Sequence, residues 1–230
     1  MRIAILTGAG ISAESGIRTF RATDGLWEEH RIEDVATPEG FRRDPGLVHR
    51  FYNQRRADAA RARPNAAHQA LAQLARHHQV TLITQNVDDL HERGGSTGVI
   101  HMHGSLLGAL CAACGHRWPA ALVMRASDPC PGCGQPRTRP DIVWFGEVPH
   151  EMERIWAAVE SAEIFAAIGT SGQVYPAAGL AQHARRAGAR TVELNLAGSA
   201  VSRDFDQHMT GPATQTVPEW VASLIAAPDA

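Results

Sequence analysis

The chain has 230 residues, which is enough for one domain with an insertion or for a larger and a smaller lobe. Its 22 basic and 24 acidic residues give a formal net charge of -2, so the composition offers no electrostatic footprint for nucleic acid or an anionic membrane. No apolar run approaches the roughly 18 residues of a membrane span, and the start of the chain is too short and too soon interrupted for a signal peptide. We therefore expect a cytoplasmic protein without nucleic-acid or membrane partners, whose specificity comes from a local site.

The first predicted element is a short buried strand from Arg2 to Thr7, and a glycine-rich loop follows it at once. The loop reads Gly8-Ala9-Gly10-Ile11-Ser12-Ala13 and matches the pattern Gly-x-Gly-x-x-Gly/Ala. After a strand, such glycines let the backbone approach a pyrophosphate closely, and the N–H groups of the following turn supply hydrogen-bond donors. The motif alone is weak, because an ordinary strand-to-helix turn explains it equally well.

An arginine-rich segment from about Gly25 to Pro64 comes next and is predicted to be mainly helical. Tyr52 and Arg55 are three residues apart, so on a helix they project from one face. A phenol and a guanidinium directed into one pocket suit a terminal carboxylate, which arginine can hold with two hydrogen bonds. From the spacing alone, an exposed arginine in an arginine-rich helix is the better explanation.

Four later runs are predicted to be strands, and each adjoins a helical pattern. The runs are Val80–Thr84, Ile142–Phe145, Glu163–Ile168 and Thr191–Leu194. One such helical pattern is formed by Ala67, Ala70, Leu71, Leu74 and Ala75. Alternation of strands and helices predicts an α/β fold with a Rossmann-like, doubly wound and mainly parallel sheet.

Polar loops follow three of these strands. They are Thr84-Gln85-Asn86-Val87-Asp88, Gly169-Thr170-Ser171-Gly172 and Asn195-Leu196-Ala197. Because ligands bind outside the carboxyl ends of the strands in such sheets, these loops and the glycine loop together predict a dinucleotide site.

The four cysteines form two close pairs, Cys111-Ala-Ala-Cys114 and Cys130-Pro-Gly-Cys133, with fifteen residues between them. This spacing lets four thiolates surround Zn²⁺ at about 2.3 Å. Two disulfides or four unrelated buried thiols are the alternatives, but Cys-x-x-Cys disulfides are strained, and glycines stand where zinc knuckles need tight turns. A closed site of four thiolates leaves no coordination position for water or substrate, so we expect one structural Zn²⁺ that braces a smaller lobe.

Seven motifs follow one another along essentially the whole chain: Gly8–Arg21, Thr84–His91, His101–Gly104, the four cysteines, Val143–Glu147, Gly169–Ser171 and Val174–Pro176. Together they resemble the motifs of the sirtuins, which are NAD-dependent protein lysine deacylases. The sequence is most similar to the class III members of bacteria and mitochondria, because Ala36, Tyr52 and Arg55 match the acyl pocket of enzymes that remove succinyl groups.

The resemblance, together with the alternation of elements, implies two structural units. We expect an NAD-binding Rossmann-like domain from residues 1–24, 65–104 and 141–230, and a smaller zinc-binding lobe from two insertions, residues 25–64 and 105–140. The implied activity removes acetyl and succinyl groups from lysine, with malonyl as a further candidate, and yields nicotinamide and 2′-O-acyl-ADP-ribose. Mono-ADP-ribosyl transfer and a non-enzymatic NAD or ADP-ribose sensor are the alternatives.

The resemblance also assigns catalytic roles. The acyl-lysine carbonyl oxygen attacks C1′ of the nicotinamide ribose and expels nicotinamide. His103 matches the catalytic histidine, which then helps to deprotonate a ribose hydroxyl, and imidazole suits this task because its pKa of about 6.5 lies near working pH. Asn86 and Asp88 match residues that position nicotinamide and a bound water.

The remaining implied site residues belong to the cofactor and to the acylated protein substrate, whose peptide is expected to add as a strand between two edges of the interlobe cleft. The implied cofactor contacts are Gly8, Ala9, Gly10, Ser12, Glu14, Phe20, Arg21, Trp27, Gln85, Asn86, Val87, Asp88, Gly169, Thr170, Ser171, Asn195, Leu196, Ala197 and Ala213. The implied substrate contacts are Ala36, Tyr52, Arg55, Val143, Phe145, Gly146, Glu147, Val174 and Tyr175. The sequence does not determine the oligomeric state, and we expect a monomer.

Overall fold

A computed structural model describes residues 1–18, 26–27 and 30–226. The strands are β1 (Arg2–Thr7), β2 (Leu26–Trp27), β3 (His30–Arg31), β4 (Gln79–Thr84), β5 (Ile100–His101), β6 (Gly104–Cys111), β7 (Arg117–Pro119), β8 (Thr138–Ile142), β9 (Ile164–Ile168), β10 (Arg190–Asn195) and β11 (Gln207–Thr210). The α-helices are α1 (Ile32–Val35), α2 (Pro38–Arg43), α3 (Pro45–Arg61), α4 (Ala66–Leu74), α5 (Leu90–Arg93), α6 (Met152–Glu160), α7 (Leu180–Arg186) and α8 (Ala213–Ala226). Short 3₁₀ helices cover Ala9–Ser15, Ala177–Gly179 and Ser202–Asp204.

Six strands form a parallel sheet in the order β11-β10-β9-β1-β4-β5. Strand β1 lies between β4 and β9, so later strands extend the sheet on both sides of β1. Every pairing in this sheet is parallel, which brings the carboxyl ends of the strands to one edge. The predicted strands that end at Thr84, Ile168 and Leu194 are confirmed within one residue at each end.

The two faces of the parallel sheet are both buried by helices. Ile3 and Ile5 of β1 face one apolar cluster, and Ala4 and Leu6 face the other. The first cluster contains residues of α4 and α8, and the second contains residues of α6 and α7. This confirms the doubly wound architecture and explains why β1 is a continuous apolar run, since strands buried on both faces have no polar side.

The arginine-rich segment contains α1, α2 and α3 within its described part, so its helical prediction is confirmed for residues 32–61. Separate caps divide it into several helices. The Thr37 hydroxyl accepts from the Gly40 N–H at 2.9 Å, and Asp44 Oδ1 accepts from the Leu47 N–H at 2.8 Å. In both helices a proline follows the cap at the first helical position, where its missing N–H costs nothing.

The cysteine region forms a second, antiparallel sheet with the strand order β7-β6-β8. Leu106 of β6 and Ile142 of β8 share one buried apolar cluster with Val48 and Phe51 of α3. The two insertions therefore pack together as the smaller zinc-binding lobe. None of the helices in the described ranges is both long enough and apolar enough to cross a membrane.

The predicted strand Ile142–Phe145 is wrong. The strand found here is β8, which ends at Ile142 and belongs to the antiparallel sheet. The chain then turns, with the Glu147 N–H donating to the Trp144 carbonyl at 2.9 Å. The Arg139 guanidinium donates to both oxygens of the Glu147 carboxylate, at 2.7 and 2.9 Å. This ion pair stabilises the turn. The apolar sequence of residues 142–145 has the pattern of a buried strand, which is why the prediction was wrong.

Candidate active site

The glycine loop packs directly on the loop that follows β9. The Gly8 and Gly10 N–H groups donate to the carbonyls of Ile168 and Gly169, both at 2.9 Å. A Cβ on Gly10 would lie 2.7 Å from the Gly169 Cα, and one on Gly8 would lie 2.8 Å from the Gly169 oxygen. The glycines are thus required for contact between the two loops, in addition to any approach to a phosphate.

The loop after β4 joins this arrangement through buried polar side chains. The Asn86 side-chain amide donates to the Gly8 carbonyl and to Ser12 Oγ, both at 3.2 Å. The Asp88 carboxylate accepts from the Leu90 N–H at 3.1 Å and from the Ser12 hydroxyl at 3.4 Å. Burial raises the pKa of Asp88, although the Leu90 N–H, His101 and Ser12 oppose the shift. Ser12 therefore links the glycine loop to both Asn86 and Asp88.

A pair of buried histidines lies beneath these loops and was not predicted as part of the site. His91 Nε2 is 2.9 Å from Thr7 Oγ1, and His68 Nε2 is 3.4 Å from Ser12 Oγ. The two imidazole centroids are 4.9 Å apart. Burial lowers the pKa of His68 to about 4 and that of His91 to about 3, so both rings are neutral near pH 7. The sequence signals were the motif that ends at His91 and the Asn65-x-x-His68 capping box.

His103 lies just beyond β5 with its ring against the same loop. His103 Nδ1 is 3.2 Å from the Gln85 carbonyl oxygen. A carbonyl oxygen only accepts, so Nδ1 carries the proton and Nε2 has a free lone pair. Burial lowers the pKa of His103, with a smaller contribution from His150, while the Gln85 carbonyl opposes the shift. The ring is therefore a neutral base near pH 7.

The loops after β9 and β10 form the other half of this edge. The Asn195 side-chain amide donates to the Thr170 carbonyl at 2.7 Å, and the Ala200 N–H donates to the Ser171 carbonyl at 3.0 Å. Leu196 projects outward and is 71% exposed. These contacts hold the predicted cofactor residues of the two loops against each other.

Two predicted cofactor residues, Ala213 in α8 and Glu14 in the 3₁₀ helix after β1, lie near the start of α8. Ala213 is its first residue, packed beside the apolar cluster on that face of the sheet. The Glu14 carboxylate accepts from the Thr214 N–H at 3.0 Å and from the Thr214 hydroxyl at 2.6 Å. Glu14 therefore ties the 3₁₀ helix after β1 to α8. Phe20 and Arg21 lie outside the described residues, as does the side chain of Trp27.

The predicted acyl-pocket residues are buried in the smaller lobe. Ala36 and Tyr52 belong to one apolar cluster with Trp144, whose indole N–H donates to the Tyr52 oxygen at 3.0 Å. Burial raises the pKa of Tyr52, so it stays a neutral phenol. Arg55 lines a cavity of about 440 Å³ that Asp88 also lines. Arg55, the predicted carboxylate-binding residue, and Asp88 in the loop after β4 therefore line the same cavity.

The predicted peptide-binding residues lie around two turns. The Val143 N–H donates to the His103 carbonyl at 2.9 Å, and the Phe145 N–H donates to the Ala36 carbonyl at 3.0 Å. Phe145 is 45% exposed and Tyr175 is 74% exposed. Val174 is partly buried, and Gly146 has a positive φ of 90° in the turn that the Glu147 carboxylate supports.

The four cysteines come together at the end of β6 and in the loop before β8. All four Sγ atoms lie within 4.8 Å of one another, and all four thiols are free. The Cys111 and Cys133 sulfurs are 3.7 Å apart, and the Cys114 and Cys130 sulfurs are 3.8 Å apart. Four sulfurs at about 2.3 Å from a tetrahedral Zn²⁺ are about 3.8 Å apart, so the site fits zinc and leaves no open position.

Comparisons with known proteins agree with this geometry. The model of the Sir2 family matches residues 8–176. An NAD-dependent protein deacylase of Escherichia coli (strain K12) is 56% identical over 229 residues, covering 97% of this chain and 82% of the relative. A Sir2 homologue mutant in complex with ADP-ribose is 39% identical, covering 99% of this chain and 94% of that chain with a TM-score of 0.91. A Sir2 protein bound to a propionylated peptide is 27% identical, covering 97% of this chain and 94% of that chain with a TM-score of 0.81.

We expect removal of the zinc to unfold the smaller lobe, because the thiolate cluster joins the two ends of the loop between Cys111 and Cys133. A strong chelator, or the substitution Cys130→Ser, should release one equivalent of zinc. The melting temperature should fall by about 10 °C or more, since structural zinc contributes its binding free energy to folding. Zinc content, circular dichroism and deacylation are measured together, with zinc restored to the chelated wild type as the control. Full activity without zinc would contradict a bracing role.

Proposed function

Because the chain belongs to the Sir2 family, the sirtuins, we propose that it is an NAD-dependent protein deacylase that transfers the acyl group of a modified lysine to ADP-ribose. The observation that carries the proposal is the state of His103. Its Nδ1–H donates a hydrogen bond to the Gln85 carbonyl, which leaves Nε2 as a neutral base beside the predicted nicotinamide loop. A relative that is 56% identical and named an NAD-dependent protein deacylase supports the assignment.

We assign NAD to the carboxyl edge of the parallel sheet. The glycine loop and the loops after β9 and β10 receive its ADP-ribose part, and Asn86 and Asp88 receive nicotinamide. The contacts of Asn86 with Gly8 and Ser12 support this, because they fix the amide that would face the carboxamide of nicotinamide. When bound, NAD supplies the ribose that the acyl oxygen attacks and that finally carries the acyl group.

In the proposed mechanism His103 acts only after nicotinamide has left. Its Nε2 takes a proton from a ribose hydroxyl, and the ring becomes an imidazolium while Nδ1–H keeps its bond to Gln85. The low pKa that burial gives His103 keeps the base unprotonated at neutral pH. His68 and His91, which are buried below the loops, are neutral near pH 7 and so add no positive charge of their own.

We propose that the acyl pocket accepts succinyl and malonyl as well as acetyl groups, through Tyr52 and Arg55. An indole N–H only donates, so the Tyr52 oxygen accepts from Trp144 and the phenol proton points away from the indole. Arg55 lines the cavity shared with Asp88, where its planar guanidinium suits a terminal carboxylate. Ala36 has a small side chain and therefore leaves room for the acyl group in the pocket.

We propose that an acylated protein segment adds as a strand between residues 143–147 and residues 172–175, in the cleft between the Rossmann-like domain and the smaller lobe. The aromatic side chains of Phe145 and Tyr175 support this placement, since they are 45% and 74% exposed at the two edges. Main-chain pairing tolerates many substrate sequences. The known complex of a Sir2 protein with a propionylated peptide is consistent with an acyl-lysine substrate.

Arg55→Met should separate the acyl preferences. Loss of a hydrogen bond to a charged group should lower kcat/KM for a succinylated peptide about 10- to 100-fold, while deacetylation of the same peptide changes little. Arg50→Met, on the exposed face of the same helix, is the matched control and should change neither activity. Equal losses of both activities in the Arg55 variant would contradict a carboxylate-binding role.

The rate of deacylation should fall on the acid side as His103 becomes protonated. Because the pKa of His103 is lowered from 6.5, this limb should lie below pH 6.5. His103→Ala should lower kcat by about 100-fold or more, yet retain exchange of labelled nicotinamide into NAD, since the base is needed only after cleavage. Both rates are measured on protein whose fold is checked by circular dichroism. Loss of exchange together with deacylation in a folded variant would place His103 in the earlier step.

A further inference from the structure

A second histidine, His101, holds the same loop as His103 but has different partners. His101 Nδ1 is 3.1 Å from the Asn86 carbonyl oxygen, just as His103 Nδ1 faces the carbonyl of Gln85. The other ring nitrogen of His101, Nε2, is 2.8 Å from Oε1 of Glu92. The two imidazoles therefore hold consecutive carbonyls of one loop, and only His101 has an acceptor at both nitrogens.

The partners of His101 determine its protonation. The Asn86 carbonyl can only accept, so Nδ1 carries a proton. A neutral ring would then present the lone pair of Nε2 to the Glu92 carboxylate at 2.8 Å, which is a repulsive contact. A proton on Nε2 converts it into a charge-assisted hydrogen bond. The geometry thus requires an imidazolium at His101 and a carboxylate at Glu92.

The charges around His101 agree with this state. Burial acts to lower the pKa of His101, but Glu92, the Asn86 carbonyl and Asp88 outweigh it, so the net shift is upward. Burial acts to raise the pKa of Glu92, and the bond to His101 outweighs it, so the net shift is downward. His91 on α5 also faces this group and is neutral. The ion pair therefore persists between the lowered pKa of Glu92 and the raised pKa of His101.

We propose that His101 is a positioning residue for the deacylase reaction: clamped as an imidazolium by Glu92, it holds the Asn86–Asp88 segment in the shape that receives nicotinamide. The proposal rests on the proposed function, because that function assigns nicotinamide to Asn86 and Asp88. Strand β5 has only two residues and lies at the edge of the sheet, so its pairing alone provides few restraints on the loop. The clamp supplies a restraint from α5 at the backbone of Asn86 itself.

Replacement of Glu92 tests the clamp without touching a residue that contacts nicotinamide. In wild type, kcat/KM for NAD should fall about tenfold on the alkaline side, above pH 6.5, as His101 loses its second proton and faces the carboxylate. Glu92→Ala should show the low value at all pH values. Glu92→Gln should restore the wild-type value and remove the alkaline limb, because its amide N–H can donate to a neutral Nε2.

Glu160→Gln provides the matched control. Glu160 Oε1 pairs with His183 Nε2 at 3.1 Å between α6 and α7, so the variant removes the same kind of charge elsewhere. It should keep the wild-type alkaline limb. All variants should keep the acid limb assigned to His103. If Glu92→Gln retains the wild-type alkaline limb, or Glu92→Ala lowers only the melting temperature, His101 is a structural residue and the proposal is overturned.

A nitrogen NMR titration of ¹⁵N-histidine-labelled protein examines the clamp without turnover. The His101 signals, identified by their loss in His101→Gln, should show both nitrogens protonated in most molecules at pH 6.5, because the pKa of His101 is raised above that value. A ring that is mainly neutral at pH 6.5 would overturn the proposal while leaving the deacylase function intact. Wild type that releases no nicotinamide from NAD with any acylated peptide would instead overturn the proposed function, and with it the role given to the clamp.

Discussion

The site depends on a backbone junction at Gly104, where the chain passes from the parallel sheet into the antiparallel sheet. Gly104 has a φ of 82°, and a Cβ there would lie 2.2 Å from the carbonyl oxygen of Asp141. Only glycine permits this approach, which lets the Val143 N–H bond the His103 carbonyl. The close crossing of the two sheets therefore fixes His103 between the carboxyl edge of the parallel sheet and the lobe that carries the proposed acyl pocket.

The chemistry of the site depends on which of its histidines carry a positive charge. Each histidine near the loop after β4 has a state set by its partners: a neutral base at His103, an imidazolium at His101, and neutral rings at His68 and His91. Burial disfavours charge at all four positions, and only His101 has a carboxylate to offset it. Four identical side chains within one small volume thus differ in charge and in hydrogen-bond partners.

The sequence predicted the centre of the parallel sheet well and its margins poorly. Strands β1 and β9 are runs of mostly buried apolar residues, and β4 and β10 each contain buried aliphatic residues among β-branched ones, so their pattern is clear. Strands β5 and β11 were not predicted, because β5 has two residues and β11 is the polar segment Gln207–Thr210. The apolar pattern of residues 142–145 predicts a strand, but the structure has a turn there. The ion pair between Arg139 and Glu147 holds this turn, and a hydrophobic pattern carries no information about such a pair.

By itself the sequence determined which chemical groups are present and how several are spaced: two Cys-x-x-Cys pairs at zinc-binding distance, a glycine loop after a strand, and the family motifs. These features depend only on residues that are close together along the chain, so the sequence alone reveals them. Only the tertiary structure decided the charge of each group and the purpose of Gly8 and Gly10. Those properties depend on burial and on partners far along the chain, such as Gly169 for the glycines and Gln85 for His103.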